Sequence, residues 1–117
     1  MIQIYGRRKC ATTRKAQRFF SDRSIAVQYV DIDQKTPGTR ELELFLQVAG
    51  DRVIDTQGKL FQSRGLAYMD YDPLEEISES PGLLRTPIVR NGRSIVVGPD
   101  EAGWGQVASQ AARGDAQ

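Results

Sequence analysis

Histidine is absent from this chain of 117 residues, and cysteine occurs once, at Cys10. The first absence removes the commonest general base and the commonest metal ligand together. The second rules out an internal disulfide and leaves a zinc site without its usual ligands. Charge of one sign is also missing: 16 Lys and Arg stand against 15 Asp and Glu, a formal net charge of +1. Such a balance gives no overall pull toward nucleic acid or an anionic membrane surface, and neither is expected as a partner. No apolar run approaches the length of a membrane span. The start passes from Met1 straight into a strand pattern without a signal-peptide pattern, so the expected compartment is the cytoplasm. Any chemistry must rest on Cys10, carboxylates, hydroxyls, or Arg and Lys. No metal site and no tightly bound cofactor is expected.

Hydrophobic residues make up 39% and charged residues 26%, which fits one globular domain with a core of its own. Ile2, Ile4 and Tyr5 read as a first strand, followed by the polar loop Gly6-Arg7-Arg8-Lys9-Cys10. Residues 11–22 read as a helix, with Ala16, Phe19 and Phe20 on one face. Residues 25–31 alternate and carry Ile25, Val27, Tyr29 and Val30, the marks of a second strand. A β–α–β unit at this spacing implies parallel strands with a crossover helix. Thr39 is the expected N-cap of the next helix, whose Leu42, Phe45, Leu46 and Ala49 form a core-facing stripe ended by Gly50.

The middle, residues 51–82, lacks strand alternation. Lys59 to Arg64 suggests a short helix stopped by Gly65, and Asp72-Pro73 a cap and first turn from which Leu74 and Ile77 pack inward. Residues 87–90 and 94–97 then read as two strands around Asn91-Gly92-Arg93, an antiparallel hairpin. Pro99-Asp100-Glu101 opens a last helix with Trp104 and Val107. The expected fold class is therefore α/β: a mixed four-stranded sheet, two parallel strands and then a C-terminal antiparallel hairpin, flanked by helices. This order is the layout of a thioredoxin-like domain. The domain is expected over residues 1–112, with a flexible tail at 113–117, where little is left to bury.

Cys10 lies between the first strand and the first helix. Loops at the carboxyl ends of strands are where α/β sheets bind ligands. Unpaired N–H groups at a helix start stabilise a thiolate, and the thiolate is the nucleophile. Arg7, Arg8 and Lys9 precede the sulfur, and Arg14 lies one helical turn after it, so four cations are expected to lower the thiol pKa. The competing reading is a small buried hydrophobe, since free cysteine is among the most buried residue types. Spacing alone leaves both open.

Tyr5-Gly6, Lys9-Cys10 and Arg14-Lys15-Ala16 resemble the Cys-x-x-x-Arg opening of the arsenate reductase (ArsC)/Spx family. The stretches 55–62 and 81–88, and then Val97-Gly98, are similar in order and spacing, so the resemblance runs from Ile2 to about Trp104. It implies a thioredoxin-like fold with a helical insertion at about 51–82. It implies Cys10 as nucleophile, Arg14 as its cationic neighbour, and a cis Thr86-Pro87 bond facing the cysteine. Two departures matter. Arsenate reductases of this type bind the oxyanion with three arginines, and at those positions stand Asp55, Thr86 and Gly98, with Arg85 adjacent to one of them. Bidentate arginine is the usual device for such an anion. Spx-type regulators bind RNA polymerase and often carry Cys-x-x-Cys, but here Thr13 holds the second cysteine's place.

The first functional expectation is a monothiol thiol–disulfide oxidoreductase with the logic of a glutaredoxin. Cys10 attacks a mixed disulfide, and a low-molecular-weight thiol from outside (glutathione or an equivalent) serves as cosubstrate and resolves it. Arg7, Arg8, Lys9, Arg85, Thr86 and Pro87 are the expected substrate-binding residues, for a small thiol or a protein disulfide. The alternative is an Spx-like regulatory module that binds a protein partner without turnover. The third reading is arsenate reduction with a rebuilt anion site.

Overall fold

The computed structural model describes residues 1–113. β1 (Ile2–Gly6) leads through the Cys10 loop into α1 (Ala11–Asp22), and β2 (Val27–Asp31) returns parallel to β1. α2 (Thr39–Ala49) follows. The next stretch holds two short helices, α3 (Lys59–Ser63) and α4 (Pro73–Glu79), and 3-10 turns at Gly50–Val53, Leu66–Tyr68 and Pro81–Leu83. β3 (Ile88–Asn91) and β4 (Ser94–Val97) form the antiparallel hairpin, and α5 (Glu101–Arg113) closes the described chain. The sheet order is β2-β1-β3-β4, with β1 parallel to β2 and antiparallel to β3. The α/β architecture expected from the sequence is the one observed.

Because successive strand residues face opposite sides, β1 and β3 feed two separate cores. Ile2, Ile4 and Val89 turn toward α1 and α5, where they pack with Ala16, Phe20, Trp104 and Val107. Tyr5 and Ile88 turn the other way, toward Leu42 and Phe45 of α2, Ile77 of α4, and Ile54, Leu83 and Leu84. A strand buried on both faces reads as a near-continuous apolar run, as β1 does.

Several boundaries differ from the sequence expectation for local reasons. β2 starts at Val27 rather than at residue 25, because Ser24 adopts φ 56° and the Ile25 amide still bonds the Phe20 carbonyl. α2 is capped by Gly38, not Thr39: the Glu41 carboxylate reaches back to the Gly38 amide at 3.0 Å. In the hairpin Asn91 pairs with Ser94 and belongs to β3, so Gly92-Arg93 is the turn. Only Gly92 of these two has positive φ (62°), as a turn with glycine first requires. The helix runs through Ala111 to Arg113, so the expected tail at 113–117 begins inside α5; residues 114–117 lie outside the described residues. Among the described residues no helix is long and apolar enough to cross a membrane, and no cluster of three or more potential metal ligands occurs.

Candidate functional site

The carboxyl end of β1 delivers Cys10 to the N-cap of α1, with φ −83° and ψ 114°. The loop is set by a turn from the Cys10 amide to the Arg7 carbonyl (3.0 Å), and the helix begins when the Arg14 amide bonds the Cys10 carbonyl (3.2 Å). Cys10 is partly exposed, which answers the buried-hydrophobe reading against burial. Its Sγ lies 3.7 Å from the Thr86 carbonyl oxygen, to which the protonated thiol donates. The Thr86-Pro87 bond is cis.

Burial is the largest single influence on the thiol and raises its pKa. The side chains of Thr13 and Thr86, with the amides of Thr13 and Thr12, favour the anion and together outweigh it, so the thiol lies below its ordinary value. The source of this lowering differs from the sequence expectation. Neutral hydroxyls and helix-end amides carry it, and the side chains of Arg7, Arg14 and Arg85 are turned to other partners. Arg14 Nη1 donates to the Arg8 carbonyl at 2.9 Å, clasping the loop from its exposed side. Arg7 is held on Asp33, Pro81, Leu84 and Thr86. Arg85 donates from Nε to the Arg52 carbonyl (3.0 Å) and from Nη2 to the Ile54 carbonyl (3.1 Å), and its stem lies against Gly98.

Thr13 is the residue whose part was not visible in its spacing. It is fully buried, and Oγ1 has no hydrogen-bond partner among the described residues. It packs so closely on β1 that a Cβ at Gly6 would stand 2.3 Å from the Thr13 methyl and 2.6 Å from Oγ1. Gly6 therefore permits the close approach of Thr13 to the end of β1. The sequence clue was the pairing of a glycine at the end of β1 with a small hydroxyl residue one turn into α1.

At Arg8 and Lys9 of the loop before Cys10, a hollow of about 640 Å³ is lined by these two residues with Asp31, Asp33 and Gln34. A neighbouring one of about 400 Å³ adds Gln28, Tyr29, Val30 and Lys35. The Tyr29 hydroxyl is buried without a hydrogen-bond partner among the described residues. Its pKa is raised first by burial, then by Asp31 and Asp33; Arg8 lowers it and the Cys10 thiolate raises it. Arg8 and Lys9 thus line this hollow, whereas Arg7 and Arg85 are spent on carbonyls.

A model of the ArsC family matches residues 5–107. Among curated proteins, the chain is 32% identical over 107 residues to global transcriptional regulator Spx 2 of Oceanobacillus iheyensis, covering 86% of this chain and 78% of that one. It is 29% identical to global transcriptional regulator Spx of Enterococcus faecalis, covering 86% and 81%. Among solved structures, a YffB protein superposes with a TM-score of 0.83 at 19% identity, covering 91% of this chain and 97% of the other. An arsenate reductase from Vibrio cholerae superposes with a TM-score of 0.73 at 21% identity, covering 92% and 95%.

Proposed function

The chain belongs to the ArsC family, and from that premise we propose that it is a monothiol thiol–disulfide oxidoreductase with Cys10 as its nucleophile. The observation that carries this reading is a partly exposed sulfur whose anion is favoured by the Thr13 and Thr86 side chains and by helix-end amides. The Cys10 thiolate attacks one sulfur of a substrate disulfide. A bond forms between Cys10 and that sulfur, and the other sulfur leaves as a thiolate. A thiolate from a low-molecular-weight thiol, the cosubstrate, then attacks this mixed disulfide, takes the substrate sulfur and returns Cys10 as the thiolate. The second step needs an outside thiol because Thr13 stands where an internal resolving cysteine would be. Arg8 and Lys9 line the hollow that receives the anionic end of the small thiol or protein disulfide; Arg14 secures their loop.

The test measures disulfide exchange with several small thiols in the wild type and in Cys10→Ser, together with the pH dependence of Cys10 alkylation. The reading expects an alkylation midpoint below the ordinary thiol range and loss of exchange in the variant. An ordinary or raised midpoint, or exchange that survives the substitution, overturns it.

A second reading has its own support: the curated relatives above are transcriptional regulators. On that reading the chain is a protein-binding module, and a stable complex with its partner persists in Cys10→Ser. Arsenate reduction draws no support from the site. Asp55, Thr86 and Gly98 supply no cation, and Arg85 is held on the Arg52 and Ile54 carbonyls. No saturable arsenate reduction is expected, even with external thiols.

A further inference from the structure

Arg7 is the most heavily engaged cation near the sulfur. Its side chain is only 20% exposed. Nη2 donates to the Pro81 carbonyl at 2.8 Å and Nη1 to the Leu84 carbonyl at 2.9 Å. Nε donates to Asp33 Oδ1 at 3.3 Å, and Nη1 also reaches Thr86 Oγ1 at 3.4 Å. One guanidinium thus ties the Cys10 loop to the turn after β2, to both ends of the last 3-10 turn, and to Thr86. Only a planar fork meets acceptors in this many directions; a lysine ammonium is a point donor.

The bond to Thr86 has a directional consequence. A threonine hydroxyl has one hydrogen to give. When Oγ1 accepts from a cationic N–H, its own hydrogen is left for another acceptor, and chained hydrogen bonds polarise one another. Cys10 Sγ lies against the same residue, 3.7 Å from the Thr86 carbonyl oxygen.

We propose that Arg7 is a positioning residue for Cys10: it orients and polarises the Thr86 hydroxyl so that Thr86 donates to the sulfur anion, and it binds no substrate itself. The Thr86 side chain's favouring of the Cys10 thiolate agrees with this. So does the engagement of all three Arg7 nitrogens, which commits four of its five N–H donors to protein acceptors. The inference rests on reading Cys10 as a reactive thiol but not on the identity of its substrate.

The experiment is a double-mutant cycle read on the thiol itself. Thiolate fraction is followed across pH by ultraviolet absorbance and by alkylation, which a single cysteine makes unambiguous. The variants are Arg7→Met, Arg7→Lys, Thr86→Val and the two doubles. Arg7→Met and Thr86→Val are each expected to lower the thiolate fraction below the midpoint roughly three- to tenfold, about half to one pH unit. Arg7→Met is expected to add less than about twofold in the Thr86→Val background, because the two act in one chain. A shift undiminished in that background would mean that Arg7 acts directly on the sulfur, and overturns the relay. An unchanged midpoint with only a fall in thermal stability would reduce Arg7 to a structural brace, which also overturns it. If Arg7→Met does not fold, Arg7→Lys carries the same comparison: a wild-type midpoint there overturns the proposal, and a raised one that vanishes beside Thr86→Val supports it. None of these readouts uses exchange activity, so the relay and the proposed reaction can fail separately.

Discussion

The two sides of the sheet are held by different physics. On the side of α1 and α5, long helices pack Phe20, Trp104 and Val107 onto Ile2, Ile4 and Val89, and Phe19 stacks edge-on against both Phe20 and Trp104. On the side of α2 and the insertion, the apolar core is joined by arginines bonded to carbonyls and carboxylates: Arg7 to Pro81 and Leu84, Arg85 to Arg52 and Ile54, Arg64 to Ser80 and Glu76. Helices and 3-10 turns of three to seven residues have few internal bonds and many unpaired carbonyls. Guanidinium groups satisfy those carbonyls where backbone repetition does not. The cations that the sequence places near the Cys10 sulfur therefore serve in part as structural donors for the insertion.

The sharpest way to break this contrast is Trp104→Ala. It removes the largest buried side chain on the helical side and is expected to cost about 3–5 kcal/mol in urea unfolding. A loss near 1 kcal/mol would show that packing does not dominate there. Arg85→Met tests the other side. It strands the Arg52 and Ile54 carbonyls and is expected to cost about 2 kcal/mol. Hydrogen exchange should speed up in residues 50–85 while the amides of β1 and β3 stay protected. Uniform loss of protection would mean that the insertion is not a separable unit.

The smallest effect concerns Tyr5, which faces the insertion side and donates to Glu41. Burial first, and then the Glu41 hydrogen bond, push its hydroxyl up to about 12 from 10.0. A raised value means that the associated stability is fully present below pH 10 and falls as the unfolded chain sheds this proton first. Wild type should lose roughly 1 kcal/mol relative to Tyr5→Phe between about pH 8 and pH 11, read from urea midpoints. Parallel curves for the two proteins would show that this hydroxyl is not a charge-sensitive part of the layer.

What could be read in advance follows the same division. The strands, α1, α2 and α5 each announce themselves by their own periodicity, because one face of each is buried. Cys10 at the start of α1 was legible for the same reason: its position depends on the two elements that flank it. The work of Arg7 was not. Its partners Asp33, Pro81, Leu84 and Thr86 lie 26 to 79 residues away, and nothing in a basic loop says which carbonyls it will meet. Thr13 and Tyr29 were hidden in the same way, one as a helix residue and one as an alternating strand position. The Asn91-Gly92 signal marked the hairpin correctly and misplaced the turn by one residue, since glycine alone supplies the positive φ.

The strand order carries a consequence in time. β1 leaves the ribosome before the other three strands of the sheet, yet it ends up second in the order, and its partner on one side is β3, the third strand to be made. A nascent chain that ends at residue 80 can pair β1 with β2 but not yet with β3, so one edge of that strand stays open until β3 is made. Thr86 and Pro87 arrive just before β3. The sulfur thus travels unfinished while the chain lengthens, and gains its wall only as the sheet closes.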